Sequence, residues 1–347
     1  MSTSSTAIAI IAAVAFAISL ALTPAAALLL RRAGFLDVPN ARSSHRQPTP
    51  RGGGIAMVTA IILVLAWSGA LSDRGIRAAI SAAIVIAIVS FIDDKRHLPP
   101  LPKFIVHVAA GGVAIYTAGL LLSRVDLPFA VLRLSPVALI ASVFFAVGWI
   151  NAYNFMDGVN GIAAAQAITA GVTLTLLFST HHDAGGAAVA CAIAAAAAGF
   201  LPWNFPKARV FMGDVGSAPL GFLFAVLILR ANSEFGLVPA TLPLFPFLFD
   251  ASVTLVRRMA RRERFFHAHR THFYQQLSQV SGSHVVATAV WSGLAILSSI
   301  AALAYPALSD RNRLLVLLAV AGVHTAVAIA IWRVKTAMGG AYVASDG

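Results

Sequence analysis

Long apolar stretches alternate with short polar ones along the whole chain of 347 residues. A helix needs about 20 apolar residues to cross the roughly 30 Å of bilayer hydrocarbon. Windows of about that length predict eleven membrane-spanning helices. Their predicted ranges are 7–30, 54–71, 78–92, 104–122, 135–152, 161–180, 187–202, 217–231, 238–256, 285–305 and 314–332. The pattern therefore predicts an all-α, polytopic membrane protein with a single domain over residues 1–347.

The composition supports this class. Hydrophobic residues make up 59% of the chain and charged residues 11%, whereas soluble domains carry about 25% charged residues. The first apolar run, from Ala7 to Leu30, is too long for a signal peptide and no Lys or Arg precedes it, so we expect a true span. The single cysteine, Cys191, excludes an internal disulfide and a cysteine-based metal cluster.

Basic residues are divided unequally between alternate loops. Of the 25 Lys and Arg residues, only seven fall on one side of the predicted membrane: Arg74, Arg77, Arg124, Arg133, Arg230, Arg311 and Arg313. Because basic loops stay in the cytoplasm, the N-terminus is expected outside and the C-terminus inside. The same rule explains the net charge of +12 without a nucleic-acid partner.

Three aspartate-bearing segments, 92–96, 154–158 and 211–217, fall on the predicted cytoplasmic side. Carboxylates at the ends of apolar helices are costly to hold near lipid, so they usually serve a pathway or a reaction. Their convergence at the membrane surface indicates a divalent metal and a phosphorylated substrate.

Each segment leaves more than one interpretation open. Asp93 and Asp94 could form a solvated helix cap, hold Mg²⁺ or supply a base. The amides of segment 154–161 suit a nucleobase edge, although Asn and Gly also simply form turns. Asp214 lies between glycines at a helix start, where it is well placed to bind Mg²⁺, and Phe211 is placed to stack on a base.

Two further segments carry donors for anions. Segment 37–54 contains His45 and ends in three glycines, whose N–H groups at a helix start suit phosphate, unless it is an ordinary basic loop. Segment 257–272 has six arginines and three histidines, which suit phosphate or anionic lipid, a zinc site, or a topology signal alone. Asp250, inside the ninth span, is a functional candidate or the partner of a neighbouring arginine.

The chain resembles the polyprenyl-phosphate N-acetylhexosamine-1-phosphate transferases in four motifs. These are Asp93-Asp94, Asn154-x-x-Asp157-Gly158, Phe211-Met212-Gly213-Asp214-x-Gly216-Ser217 and His269-Arg270-x-His272. The family includes the translocase that makes lipid I and enzymes that initiate O-antigen and teichoic acid linkage units. The resemblance covers about residues 31–280, and segment 268–275 is most similar to the O-antigen-initiating branch.

The resemblance implies transfer of an N-acetylated amino-sugar 1-phosphate from a UDP-sugar to undecaprenyl phosphate, with release of UMP. It implies Mg²⁺ as the cofactor, with Mn²⁺ as an alternative. The expected place is the bacterial inner (cytoplasmic) membrane, with the active site on the cytoplasmic face, and the expected role is initiation of O-antigen or another cell-surface polysaccharide. A homodimer is compatible with the sequence.

The resemblance also implies roles for single residues. The expected catalytic carboxylates are Asp93, Asp94, Asp157 and Asp214, and the last three are also expected metal ligands. The expected substrate-binding residues are His45, Lys103, Asn154, Asn160, Asn204, Phe211, His269, Arg270 and His272. Among these, Phe211 is expected to stack on uracil, Lys103 to bind the lipid phosphate, and the last three to bind the diphosphate. Asn160 stands where the family often has aspartate, so only a nucleotide contact is expected of it.

Two other functional classes compete with this reading. A secondary transporter for an anionic or nucleotide-linked solute would explain the many spans and Asp250. However, transporter sites lie near the membrane midplane, whereas these motifs lie at helix ends on one side. A non-enzymatic assembly factor would not explain why carboxylates occur at the ends of the apolar helices.

Overall fold

The computed structural model describes residues 5–38, 47–96, 98–263 and 270–345, and these are mostly helical. The helices are α1 (Ser5–Arg32), α2 (Gly54–Trp67), α3 (Arg74–Arg96), α4 (Pro100–Ala118), α5 (Ala138–Phe155), α6 (Ile162–Thr180), α7 (Ala184–Asn204), α8 (Asp214–Glu234), α9 (Leu237–Thr241), α10 (Phe245–Ala260), α11 (Phe273–Ser281), α12 (His284–Ala304) and α13 (Asp310–Ser345). Two antiparallel strand pairs join β1 (Leu36–Asp37) to β2 (Thr49–Pro50) and β3 (Arg124–Leu127) to β4 (Ala130–Arg133).

The predicted spans all coincide with helices. In the described part of the chain, ten helical segments are long and apolar enough to cross a membrane. The second predicted span is the 14-residue helix α2, which is shorter than the others. The prediction of an all-α, polytopic membrane protein is therefore confirmed.

Three local features differ from the predicted pattern. The ninth span is broken into α9, a 3₁₀ turn and α10, because Pro239, Pro243 and Pro246 lack the N–H that a continuous helix needs. The hairpin β3–β4 and the short helix α11 lie in segments that the apolar pattern predicts as loops. Their four-residue strands and nine-residue helix are too short to produce a clear apolar period.

Helix α8 lies at the centre of the bundle. In its most apolar 18-residue window 89% of the residues are buried, against 22% for α1 and α13 at the periphery. Close approach of neighbouring helices depends on small residues. A Cβ atom on Gly221 of α8 would lie 2.6 Å from the carbonyl oxygen of Trp149 on α5. A Cβ on Gly199 of α7 would likewise lie 2.5 Å from Phe16 O on α1.

An arginine on α8 binds two aspartates near the C-terminal end of that helix. Arg230 Nε lies 2.5 Å from Asp183 Oδ2, and Arg230 Nη2 lies 3.1 Å from Asp73 Oδ2. Each aspartate also accepts a hydrogen bond from an N–H group in the first turn of the helix that follows it, Ile76 of α3 or Gly186 of α7. We call Arg230, Asp73 and Asp183 the Arg230 cluster; it ties three helices together.

Candidate active site

The N-terminal end of α8 is built against the segment that precedes α2. Gly53 N–H donates to Phe211 O and Gly54 N–H to Met212 O, both at 2.8 Å. A Cβ on Gly54 would lie 2.4 Å from Gly216 Cα, so only glycine permits this approach. The expectation that these glycines offer free N–H groups to phosphate is therefore wrong for Gly53 and Gly54, because carbonyl oxygens of the chain already occupy them.

Asp94, at the end of α3, caps α8 from outside that helix. Its carboxylate accepts hydrogen bonds from the N–H groups of Asp214 and Val215, each at 3.1 Å. Gly213 has a positive φ of 73°, and a Cβ there would lie 2.6 Å from Asp94 Oδ2. A negative charge at a helix N-terminus is stabilised by the helix dipole. Asp94 therefore fixes the position of Asp214.

Arg51 connects the two carboxylates. Its Nε lies 2.8 Å from Asp94 Oδ1, and its Nη2 lies 2.7 Å from Asp214 Oδ1. Burial lowers the pKa of Arg51, but the two carboxylates outweigh burial and raise the pKa above its usual value. We call Arg51, Asp94 and Asp214 the Arg51 cluster.

The sequence predicts Arg51 only as one member of segment 37–54, which carries donors for anions, and gives it no role of its own. The signal was its place directly before three glycines, which bring backbone close to α8.

The neighbouring aspartate faces a different partner. Asp93 Oδ2 lies 2.5 Å from Lys103 Nζ on α4, and Asp93 Oδ1 accepts a hydrogen bond from Leu98 N–H. Successive residues of a helix point about 100° apart, so Asp93 and Asp94 reach different elements. The structure thus gives the acidic pair two roles, with Asp93 holding Lys103 and Asp94 holding α8.

Asp157 brings a further carboxylate to this end of the bundle from the loop between α5 and α6. Burial raises the pKa of Asp157 well above its usual range; Arg51 opposes the rise, while Asp214 and Asp94 add to it. A carboxylate whose pKa is shifted by burial and by like charges is a candidate functional group. The three aspartate-bearing segments therefore lie within electrostatic range of one another.

The predicted amide residues are held by protein contacts. Asn154 Nδ2 donates to Ser217 Oγ at 3.2 Å, which links α5 to the first turn of α8. Asn204 accepts from Gly161 N–H at 2.7 Å and donates to Val210 O at 2.9 Å. Asn160 Nδ2 donates to Pro206 O at 3.1 Å. These bonds connect the loops around the site, and the substrate contacts of all three amides stay predictions.

The remaining predicted residues lie on several elements. Phe211 is half-buried, and its backbone N–H donates to Pro50 O at 2.8 Å. Arg270 is half-buried just before α11. His45 and His269 lie outside the described residues. The structure thus leaves the roles of these four side chains as predictions.

Asp250 organises the beginning of α11. It accepts hydrogen bonds from Phe273 N–H at 2.9 Å and Tyr274 N–H at 3.0 Å. The Nδ1 atom of His272 lies 3.1 Å from its Oδ1. Tyr274 Oη in turn donates to Phe155 O at 2.9 Å, at the end of α5. Asp250 therefore places the predicted diphosphate-binding histidine beside the Asp157 loop.

Mg²⁺ binding by Asp214 and Asp157 stays a prediction. The Asp94 carboxylate is fully buried and bonded to Arg51 and to two N–H groups of α8, and its predicted role as a metal ligand stays a prediction. Among the described residues, no three His, Cys, Asp or Glu side chains form a ready-made metal site. Mg²⁺ typically binds one or two carboxylates and completes its shell with water and substrate phosphates. The donor set fits an ion that binds together with a phosphorylated substrate.

The chain is similar to several known enzymes. It is 27% identical over 300 residues, 84% of each chain, to the probable undecaprenyl-phosphate N-acetylglucosaminyl 1-phosphate transferase of Bacillus subtilis. It is 27% identical to the decaprenyl-phosphate N-acetylglucosaminephosphotransferase of Mycobacterium tuberculosis, over 86% of this chain and 83% of the relative. It is 31% identical to the phospho-N-acetylmuramoyl-pentapeptide-transferase of Mycobacterium ulcerans, over 64% of this chain and 76% of the relative.

A family comparison agrees with these relatives. Residues 76–232 match the sequence model of glycosyl transferase family 4. The matched range begins in α3 and ends in α8, so it includes Asp93, Asp94, Asp157 and Asp214. The chain belongs to glycosyl transferase family 4, as a member of the polyprenyl-phosphate N-acetylhexosamine-1-phosphate transferases.

Proposed function

We propose that the protein transfers an N-acetylated amino-sugar 1-phosphate from a UDP-sugar to undecaprenyl phosphate. An oxygen of the lipid phosphate attacks the β-phosphorus of the UDP-sugar, the bond to the α-phosphate oxygen breaks, and UMP leaves. The product is undecaprenyl-diphosphate-sugar. The observation that carries this proposal is the meeting of Arg51, Asp94, Asp214 and Asp157 at one end of an apolar helix bundle.

The reaction joins two anions, so repulsion between them is the main obstacle. Positive groups that face the phosphates, together with fixed positions for both substrates, lower this barrier. Mg²⁺ held by Asp214 and Asp157 would neutralise charge on the diphosphate. The chain itself offers Arg51 and Lys103, each held on a carboxylate before substrate binds.

The lipid phosphate is assigned to the α4 side of the site. Lys103 stands one residue after Pro102 in the first turn of α4, at one end of that apolar helix, and its ammonium is held by Asp93. A phosphate that binds Lys103 comes close to the Asp93 carboxylate. We therefore favour Asp93 over Asp94 as the base that removes a proton from the lipid phosphate, because Asp94 is enclosed by its protein partners.

The nucleotide is assigned to the side formed by α5, α8 and α11. Asn154 and Phe211 are the groups proposed to contact uridine. His272, fixed on Asp250, and Arg270 are proposed to bind the diphosphate. Arginine and histidine side chains form charge-assisted hydrogen bonds with phosphate that act already in the ground state.

The relatives give a starting point for the sugar. Two are named for N-acetylglucosamine and one for a muramoyl-pentapeptide group. We propose UDP-GlcNAc or a related N-acetylated donor, and initiation of O-antigen or another cell-surface polysaccharide. A transporter has less support, because Asp250 is occupied as the cap of α11.

The reaction is tested with the purified full-length protein in lipid nanodiscs. UDP-GlcNAc and other UDP-N-acetylhexosamines are supplied with undecaprenyl phosphate, and UMP and the lipid product are measured. Mg²⁺-dependent release of UMP with formation of undecaprenyl-diphosphate-sugar is expected, and EDTA should abolish it. Absence of product with every donor would reject the activity.

Sidedness needs a separate experiment. The basic-residue asymmetry supports a cytoplasmic site, an outside N-terminus and an inside C-terminus in the bacterial inner membrane. Cysteines introduced at the exposed positions Ser123 and Gln279 in a Cys191→Ala background should react with impermeant reagents from opposite sides. Labelling of both positions from the periplasm would contradict this orientation.

A further inference from the structure

Arg51 is a basic group of the site whose backbone is held in place by neighbouring segments. Its backbone N–H donates to Phe35 O at 3.0 Å, and the following glycines are bonded to the segment before α8. The guanidinium therefore projects from a backbone that is fixed on both sides. About a third of the side chain remains exposed, since its relative accessibility is 34%. Arg51 is thus both anchored and open to a ligand.

The contact with Asp214 creates a competition. Arg51 Nη2 lies 2.7 Å from Asp214 Oδ1, on one of the carboxylates predicted to bind a divalent cation. A cation bound there must share the carboxylate with a guanidinium, and the two like charges repel each other in a partly buried place. A divalent cation alone should therefore bind weakly as long as Arg51 holds Asp214.

A diphosphate removes the competition. A guanidinium forms paired hydrogen bonds with phosphate oxygens as readily as with a carboxylate. If Arg51 moves from Asp214 to a phosphate, Asp214 becomes available to the cation. The Arg51–Asp94 bond at 2.8 Å limits this movement, because Asp94 is locked onto the N-terminus of α8.

We propose that Arg51 is a positioning residue that exchanges Asp214 for the diphosphate of the nucleotide, so that divalent cation and nucleotide bind together. This proposal rests on the proposed function, since it assumes a nucleoside diphosphate and a cation at this site. In the resting state Arg51 holds Asp94 and Asp214 in alignment and offsets part of their negative charge. In the nucleotide-bound state it becomes a phosphate contact.

The proposal predicts that removal of Arg51 changes the affinities for Mn²⁺ and for UDP in opposite directions, and the test measures both. Mn²⁺ binding without nucleotide is followed by electron paramagnetic resonance, and UDP binding is measured at saturating Mn²⁺ with radiolabelled UDP. In Arg51→Met, Mn²⁺ should bind about tenfold more tightly and UDP about tenfold more weakly, the scale of one charge-assisted contact. A residue that served only to stabilise the fold would weaken both affinities.

Arg230→Met is the matched control, because Arg230 also binds two aspartates but lies at the other end of α8. In Arg230→Met, the affinities for Mn²⁺ and for UDP should both stay within about twofold of those of the unchanged protein. Arg51→Lys keeps the charge and remains informative if Arg51→Met does not fold. Its Mn²⁺ affinity should stay near that of the unchanged protein while UDP binds more weakly.

Three results would overturn the proposal. They are unchanged or weaker Mn²⁺ binding in folded Arg51→Met, a large loss of Mn²⁺ affinity in Arg51→Lys, and equal effects of Arg51→Met and Arg230→Met. Failure of the proposed reaction is recognised separately. Binding of Mn²⁺ and UDP by the unchanged protein without UMP release rejects the reaction, whereas UMP release with unaltered Mn²⁺ affinity in Arg51→Met rejects only the role of Arg51.

Discussion

A cluster of one arginine and two aspartates lies at each end of α8, yet the two clusters are built differently. In the Arg230 cluster, Asp73 and Asp183 each cap the helix that follows them in sequence. In the Arg51 cluster, Asp94 caps α8, which begins 120 residues later. The first arrangement uses local caps joined by an arginine, whereas the second is assembled from distant parts of the chain.

The charges around the clusters also differ. Arg230 binds Asp183 through both Nε and Nη2, at 2.5 and 2.9 Å, and Nη2 also reaches Asp73. The Arg51 cluster has a further carboxylate nearby, Asp157, whose pKa is raised by burial and by its acidic neighbours. A group of carboxylates whose pKa values are raised by burial and by mutual repulsion is typical of a functional site. The residue types of an ion cluster therefore do not show by themselves whether the cluster is structural or functional.

The largest contrast is expected between Asp214→Asn and Asp183→Asn. Loss of a carboxylate that holds a catalytic cation typically costs several kcal/mol of transition-state stabilisation, or roughly a thousandfold in rate. We expect that loss of kcat for Asp214→Asn, while Asp183→Asn stays within about threefold of the unchanged protein. UMP release under saturating substrates measures both. Equal losses would show that the clusters are functionally alike.

Asp94→Asn should have the next largest effect. An amide retains one acceptor oxygen but not the charge that binds Arg51 and the dipole of α8, so Asp214 should lose its alignment. We expect kcat to fall about a hundredfold and the melting temperature of the detergent-solubilised protein to decrease. A folded variant with normal kcat would show that the cap has no part in the reaction.

Arg230→Met tests the other end of α8 for stability. Its removal leaves the largely buried Asp183 without its charge partner. Loss of one member of a fully buried ion pair costs about 3–5 kcal/mol, and a smaller loss is expected here because Arg230 is partly exposed. Thermal unfolding should therefore begin at a lower temperature. Turnover below that temperature should be close to normal, and a selective loss of turnover there would contradict a purely structural role.

The smallest effect concerns the pH dependence of stability at Asp73. Partial burial raises the pKa of Asp73, but the hydrogen bond from Ile76 N–H and the charge of Arg230 outweigh burial and hold it below its usual value. A lowered pKa contributes stability above the unfolded value of about 3.9, and the contribution disappears as pH falls through the folded value. Asp73→Asn should therefore melt earlier than the unchanged protein at pH 7. The difference should vanish in acid, and a constant difference would contradict this explanation.

Much of the candidate site could be predicted because its carboxylates stand at the ends of apolar helices. Asp94, Asp157 and Asp214 were singled out in this way, and the structure brings them within electrostatic range of one another. The occupation of the glycine N–H groups could not be predicted, since their partners, Phe211 and Met212, lie more than 150 residues away in the chain. The role of Arg51 could not be predicted either, because its partners Asp94 and Asp214 are also distant in the chain.

The membrane spans and the class of protein follow from the amino-acid sequence. Each span satisfies its backbone hydrogen bonds internally and needs only about 20 apolar residues, so the information is local. The tertiary structure alone decided that Asp94 supports α8, that Asp250 supports α11 and that Arg51 joins two carboxylates. These roles depend on contacts between distant segments, and a side chain acquires them only when helix packing sets which charges and N–H groups it meets.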